Sequence, residues 1–239
     1  MIEARALTKR YGSALAVDSV SFTAKPYRVT GFLGPNGAGK STTMRMLVGL
    51  ARPDSGEARI LGAPFVDVPN PGRHVGVLLD ASASHAGRTG RETLALAALT
   101  MGLGPGAVDR ALDRVGLSRK EAARRTGGYS LGMRQRLGIA SALLADPSVL
   151  ILDEPANGLD PSGIRWIRTL VREFADDGGT VLLSSHLLQE IDAVADDIVI
   201  MGGGRVHAHG SRAELVGEGS LEDAFFAATS GLSRDGADA

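Results

Sequence analysis

The clearest chemistry in the sequence lies in eight consecutive residues, Gly34-Pro35-Asn36-Gly37-Ala38-Gly39-Lys40-Ser41. They match G-x-x-x-x-G-K-[ST]. In that pattern glycines let successive backbone N–H groups converge on phosphate oxygens, the lysine reaches the β- and γ-phosphates, and the final hydroxyl faces Mg2+. Lys40 and Ser41 take the last two roles, and Thr42 continues the polar start of the segment that follows. Lysine occurs at only four positions, Lys9, Lys25, Lys40 and Lys120, so a glycine-rich turn beside a chance lysine is a poor account of the match.

A second group lies where the apolar run Val149 to Leu152 ends in Asp153-Glu154-Pro155. A buried strand ending in two carboxylates calls for a cation. Asp153 can hold the water shell of Mg2+, while Glu154, pointing elsewhere, can accept the proton of an attacking water. Taken alone, the pair would also suit a solvated strand end; beside a phosphate loop it reads as half of a phosphoryl-transfer site. His186 follows another apolar run, Val181 to Leu183, and so belongs at a strand end as well.

These residues need strands that stop in loops. Val17 to Thr23 and Val29 to Leu33 are strand candidates, and the second runs directly into the glycine-rich loop. Met44, Met46, Leu47 and Leu50 then keep helical spacing until Arg52-Pro53 ends it. Short strands are expected at Glu57 to Leu61 and His74 to Leu79. From Thr89 to about Ala145 the pattern is helical, with turns at Gly102 to Gly106 and at Gly127-Gly128. Val149 to Leu152 and Thr180 to Ser184, separated by a helix through Ile164 to Phe174, read as parallel strands of an α/β unit. Ile198 to Met201 and Arg205 to His209 read as a closing hairpin, and the tail beyond Gly231 is expected to fray.

With 239 residues the chain suits one large domain. It has 26 Lys+Arg against 27 Asp+Glu, and a net charge of −1 leaves no electrostatic case for nucleic acid as a partner. No cysteine is present, which excludes disulfides, thiol catalysis and thiolate metal sites. Charges at Glu3, Arg5, Lys9 and Arg10 exclude a secretory leader in the first ten residues. The longest uncharged stretch, between Glu92 and Asp109, is broken by Gly102, Gly104 and Pro105, short of the roughly 18 apolar residues of a membrane span.

Taken in order, five pieces resemble the ATP-binding subunit of ABC transporters over about residues 2 to 210. They are the loop at 34 to 42, Tyr129-Ser130-Leu131-Gly132-Met133-Arg134-Gln135-Arg136, the strand through Asp153-Glu154, the turn Asn157-Gly158-Leu159-Asp160, and Ser185-His186. The resemblance implies a P-loop NTPase fold of class α/β, with an ABC ATPase core, a small antiparallel β subdomain and an inserted α-helical subdomain at about 81 to 146. Residues 1 to 214 would form the ATP-binding domain and 215 to 239 a short extension. The resemblance also implies ATP and Mg2+ as cofactors, and a head-to-tail dimer, of two identical chains or of this chain with a related ATPase. In that dimer each loop faces the other copy's Ser130 and Gly132. Ser130 opens a predicted helix whose N-terminus would meet the γ-phosphate. By the same resemblance His186 contacts the γ-phosphate, Asp160 reaches towards the partner's loop, and Tyr11 is the candidate to stack on adenine. A separate membrane permease is implied, which would hold the chain at the cytoplasmic face of the cell membrane.

Two departures stand out. The family commonly has a glutamine near position 80, where this chain has Leu79-Asp80-Ala81; Asp80 is expected to contact Mg2+, directly or through water. Leu131 and Met133 replace a glycine and a glutamine of the commoner signature. The sequence Tyr-Ser-Leu-Gly-Met, with Leu221 to Phe226, resembles ATP-binding subunits of bacterial drug and antibiotic-peptide exporters. Two other classes compete. A soluble relative acting on ribosomes or DNA would carry two ATP units or a long coiled coil, whereas only ninety residues separate Lys40 from Ser130. A non-hydrolysing switch would not need Glu154 and His186.

Overall fold

In the computed structural model, residues 1–229 are described; the fraying expected beyond Gly231 lies outside them. Two compact units form, one from Met1–Pro69 together with the described residues from Val171 onward, the other from Asn70–Leu170. The first begins with strands β1 (Ile2–Tyr11), β2 (Ala14–Ala24) and β3 (Arg28–Leu33), then helix α1 (Lys40–Leu47) and strand β4 (Ser55–Ile60). The second holds β5 (Val75–Leu78), helices α2 (Gly90–Thr100), α3 (Ala107–Val115), α4 (Arg119–Ala122) and α5 (Leu131–Leu143), and strand β6 (Val149–Asp153). Helix α6 (Pro161–Asp176) leads from the second back to the first. There follow β7 (Thr180–Ser185), α7 (Leu188–Asp192), β8 (Asp197–Gly202), β9 (Arg205–Ser211), α8 (Arg212–Val216) and α9 (Leu221–Thr229).

In the first unit β2, β1 and β4 make an antiparallel sheet, and β7, β3, β8 and β9 lie side by side in that order. β3 runs parallel to both neighbours, with Leu33 paired to Ser185 on one side and to Ile200 on the other. β3 and β7 are almost wholly buried, as strands covered on both faces must be, and neither alternates apolar with exposed polar residues: Thr30, Thr180, Ser184 and Ser185 are buried along with the apolar positions. β9 closes the hairpin antiparallel to β8. The guanidinium of Arg28 clasps Asp197 with two bonds of 2.6 and 2.7 Å, joining the start of β3 to the start of β8.

In the second unit β5 and β6 pair in parallel, Leu78 beside Leu152. Helix α5 lies close on β5: a side chain at Gly138 would collide with Leu78, and one at Gly76 with the carbonyl of Ala142. The helical stretch is broken more often than its pattern predicts. Gly116, at φ 68, stops α3. The stretch begins at Thr89 as expected, with the capping box Thr89/Glu92 opening α2, and the box Ser118/Glu121 restarts the chain at α4, each side chain satisfying backbone N–H groups that lack a partner. Tyr129 is buried, its hydroxyl donating to the carbonyl of Glu121 at 2.8 Å, and burial pushes its phenol above the ordinary tyrosine range. Among the described residues no helix is long and apolar enough to cross a membrane.

Candidate active site

The first unit carries the phosphate loop. It leaves β3 at Leu33 and becomes α1 at Lys40, with Gly39 as the left-handed residue before the helix at φ 98. A side chain at Gly39 would also strike the carbonyl of Ala16 at 2.6 Å, so both conformation and space require glycine there. The amide of Ala38 donates to the carbonyl of Pro35, and the hydroxyl of Thr43 to that of Gly39. Lys40 is buried, and its Nζ donates to the carbonyls of Gly34 and Pro35 at 2.6 and 3.2 Å. The ammonium is thus held inside the curve of the loop, where an anion would be received. Ser41 and Thr42 follow in the first turn of α1, both half-buried.

His186 stands just beyond β7, the strand paired with β3, so in this unit the loop and the imidazole leave the same ends of adjacent strands. The imidazole is exposed. Buried Ser185 fixes the turn beneath it, donating to Glu190 at 2.8 Å and accepting from the amide of Leu187 at 3.0 Å. Tyr11, at the end of β1, is half exposed, with Nζ of Lys9 5.5 Å from its ring centre.

The second unit carries the other candidates. Asp153 ends β6 and Glu154 follows it, both half-buried. Glu154 adopts φ 49, a left-handed conformation uncommon outside glycine. Its carbonyl accepts from the amide of Asn157 at 3.2 Å and from Nε2 of Gln135 at 2.8 Å. Ser130 caps α5, its hydroxyl oxygen accepting from the amide of Met133 at 3.2 Å, which leaves the hydroxyl proton for an outside acceptor. Leu131 packs over Gly158, and a side chain at Gly132 would approach the Gly158 carbonyl to 3.0 Å. The signature segment and the turn at 157 to 160 therefore touch within one chain. Asp160 accepts from the amide of Gly163 at 2.7 Å and from the hydroxyl of Ser162, bonds that hold its carboxyl below the usual carboxylate range. Asp80 makes a local turn, its Oδ1 accepting from the amide and hydroxyl of Ser82 at 2.7 and 2.6 Å.

Comparison with known proteins places these features. The ABC transporter family model matches residues 17–157. The chain belongs to the ABC transporter family. This ABC chain is 43% identical over 209 residues to the bacitracin transport ATP-binding protein BcrA of Bacillus licheniformis, covering 86% of this chain and 68% of that one. It is 40% identical over 218 residues to the daunorubicin/doxorubicin resistance ATP-binding protein DrrA of Streptomyces peucetius, covering 90% and 66%. A solved ATP-binding subunit of an ABC transporter superposes with a TM-score of 0.87 at 29% identity, covering 96% of this chain and 99% of that one. The expected α/β fold and the ATPase class are those of this family. Gln135 is one residue of the ABC signature segment to which sequence reasoning gave no role; its signal was a polar side chain on an apolar helix face.

Proposed function

We propose that this ABC ATPase works as a head-to-tail dimer on the cytoplasmic side of the cell membrane, where ATP binding and hydrolysis move a separate permease that exports a drug, an antibiotic or a lipid-like molecule. The observation that carries this reading is a division of labour within the chain. The loop around Lys40 and the helix opened by Ser130 are two anion-ready N-termini belonging to different compact units. The names of BcrA, a bacitracin transport protein, and DrrA, a daunorubicin/doxorubicin resistance protein, support a drug or antibiotic as cargo.

In this reading Gly34, Pro35, Asn36, Gly37, Ala38 and Gly39 present backbone to the phosphates, with Ser41 and Thr42 at the start of α1. Lys40 exchanges its two carbonyl partners for phosphate oxygens. Ser130 and Gly132 of the second copy cover the γ-phosphate, while Asp160 lies at the dimer contact and Tyr11 against the adenine. Glu154 takes a proton from water as its oxygen attacks the γ-phosphorus; the bond to the β–γ bridging oxygen breaks, and ADP leaves carrying that oxygen. His186 orients the same water and the γ-phosphate.

Mg2+ would be held by Ser41 and Asp153, with Asp80 as a further oxygen donor, and when bound it offsets phosphate charge. Such a hard-oxygen set suits an ion that keeps waters and takes the rest of its shell from nucleotide. Among the described residues no group of three or more His, Asp or Glu is placed to hold a metal ion. In the second unit α2 leaves Leu96 and Leu99 exposed, the latter at 76%, as a contact for the permease.

The test is Glu154→Gln. It should bind ATP, hydrolyse it on the order of 100-fold more slowly or worse, and accumulate as a dimer on gel filtration. A variant that turns over ATP at the parental rate, or stays monomeric at saturating ATP and Mg2+, overturns the reading.

A further inference from the structure

Helix α5 buries Leu137, Ile139, Ala140, Ala142 and Leu143, and with them one amide side chain, Gln135, only 4% exposed. A buried amide is costly unless its hydrogen bonds are made, so the position of its partner indicates what the residue is for. That partner is the carbonyl of Glu154, 2.8 Å from Nε2 and nineteen residues along the chain. Glu154 is also the residue at φ 49, a conformation that persists in a non-glycine residue only where its surroundings impose it. The peptide after Glu154 is planar, so holding its carbonyl restrains the backbone of Glu154 and with it the direction of its Cα–Cβ bond. The bond from Asn157 to the same oxygen is longer, 3.2 Å, and comes from within the turn itself. Gln135 supplies the restraint from a separate element.

We propose that Gln135 is a positioning residue for hydrolysis: it holds Glu154 in the left-handed conformation that aims the carboxylate at the attacking water, and it does so from the helix that Ser130 caps. The inference rests on the reading of Glu154 as general base. Because Ser130 and Gln135 share one rigid helix little more than a turn apart, a phosphate meeting Ser130 and the carboxylate supported by Gln135 are linked within one chain.

Gln135→Met keeps the length and volume of the side chain and removes the donor. Full-length protein carrying it should lose about tenfold in kcat, while KM and the equilibrium affinity for ATP stay within about twofold, since misaiming a base costs rate rather than binding. Added to Glu154→Gln, the same substitution should cause no further loss in the residual rate. Gln135→Asn, which keeps the amide one methylene short, should fall between wild type and Gln135→Met, and it bears the test if the methionine variant does not fold. A wild-type kcat in both Gln135 variants, or an equal loss when Glu154 is already glutamine, overturns the positioning role. If Glu154→Gln itself hydrolyses normally, the general-base reading fails and takes this inference with it. If Glu154→Gln is inactive and both Gln135 variants are normal, this inference alone fails.

Discussion

At the scale of single residues, the position near 80 separates two uses of one carboxylate. Asp80 Oδ1 accepts two bonds from Ser82, a side-chain turn that asparagine would make equally well because it keeps the acceptor oxygen. Asp80→Asn therefore removes charge while keeping the turn. If the carboxylate serves the cation, the Mg2+ concentration for half-maximal ATP hydrolysis should rise roughly tenfold, while thermal stability changes by less than about 0.5 kcal/mol. An unchanged Mg2+ dependence would leave Asp80 as a turn-former only. Lys40 shows the same economy. Its buried ammonium already has two carbonyl partners, so the loop is shaped before nucleotide arrives.

Between elements, the decisive contact in the second unit is Leu131 against Gly158. A β-carbon at Gly158 would lie 2.3 Å from Cγ of Leu131 and 3.0 Å from its Cβ, atoms too near the helix backbone to swing away. Gly158 also holds φ 75. Gly158→Ala should cost about 2–4 kcal/mol, combining left-handed strain with overpacking. Adding Leu131→Ala removes Cγ and Cδ2 and keeps only Cβ, so it should return most of the overpacking share but not the strain, and urea denaturation of the two single variants and the double variant measures the split. Strict additivity would show that the two residues do not press on one another. Sequence reasoning noted Leu131 only as a departure from the commoner signature, because the glycine it covers lies twenty-seven positions away. The phosphate loop and the strand ending in Asp153-Glu154 were legible because each is contiguous and obeys local rules. The clasp of Arg28 on Asp197 spans 169 positions and left no local trace, and neither did the bond from Gln135 to Glu154. The extra break in the helical unit depended on Gly116 and on capping by Ser118, signals that a reading based on apolar spacing passed over.

For the molecule as a whole, the pieces read from the sequence fall into two sets by compact unit. The loop around Lys40 and His186 belong to one; Ser130, Gly132 and Glu154 belong to the other. If catalysis joins the loop of one copy to the signature of another, two differently damaged chains can repair each other. Lys40→Ala spoils the loop and Ser130→Ala the signature, so neither variant alone can build an intact site. In a mixed dimer, one site combines both lesions and the other draws its loop and its signature from undamaged sources. With random assortment half the dimers are mixed, so roughly a quarter of all sites are restored, and an equimolar mixture should recover about a quarter of wild-type ATPase activity if the two sites act independently. A site contained within a single chain predicts something different: the mixture gives only the average of two crippled enzymes, at every ratio and every protein concentration.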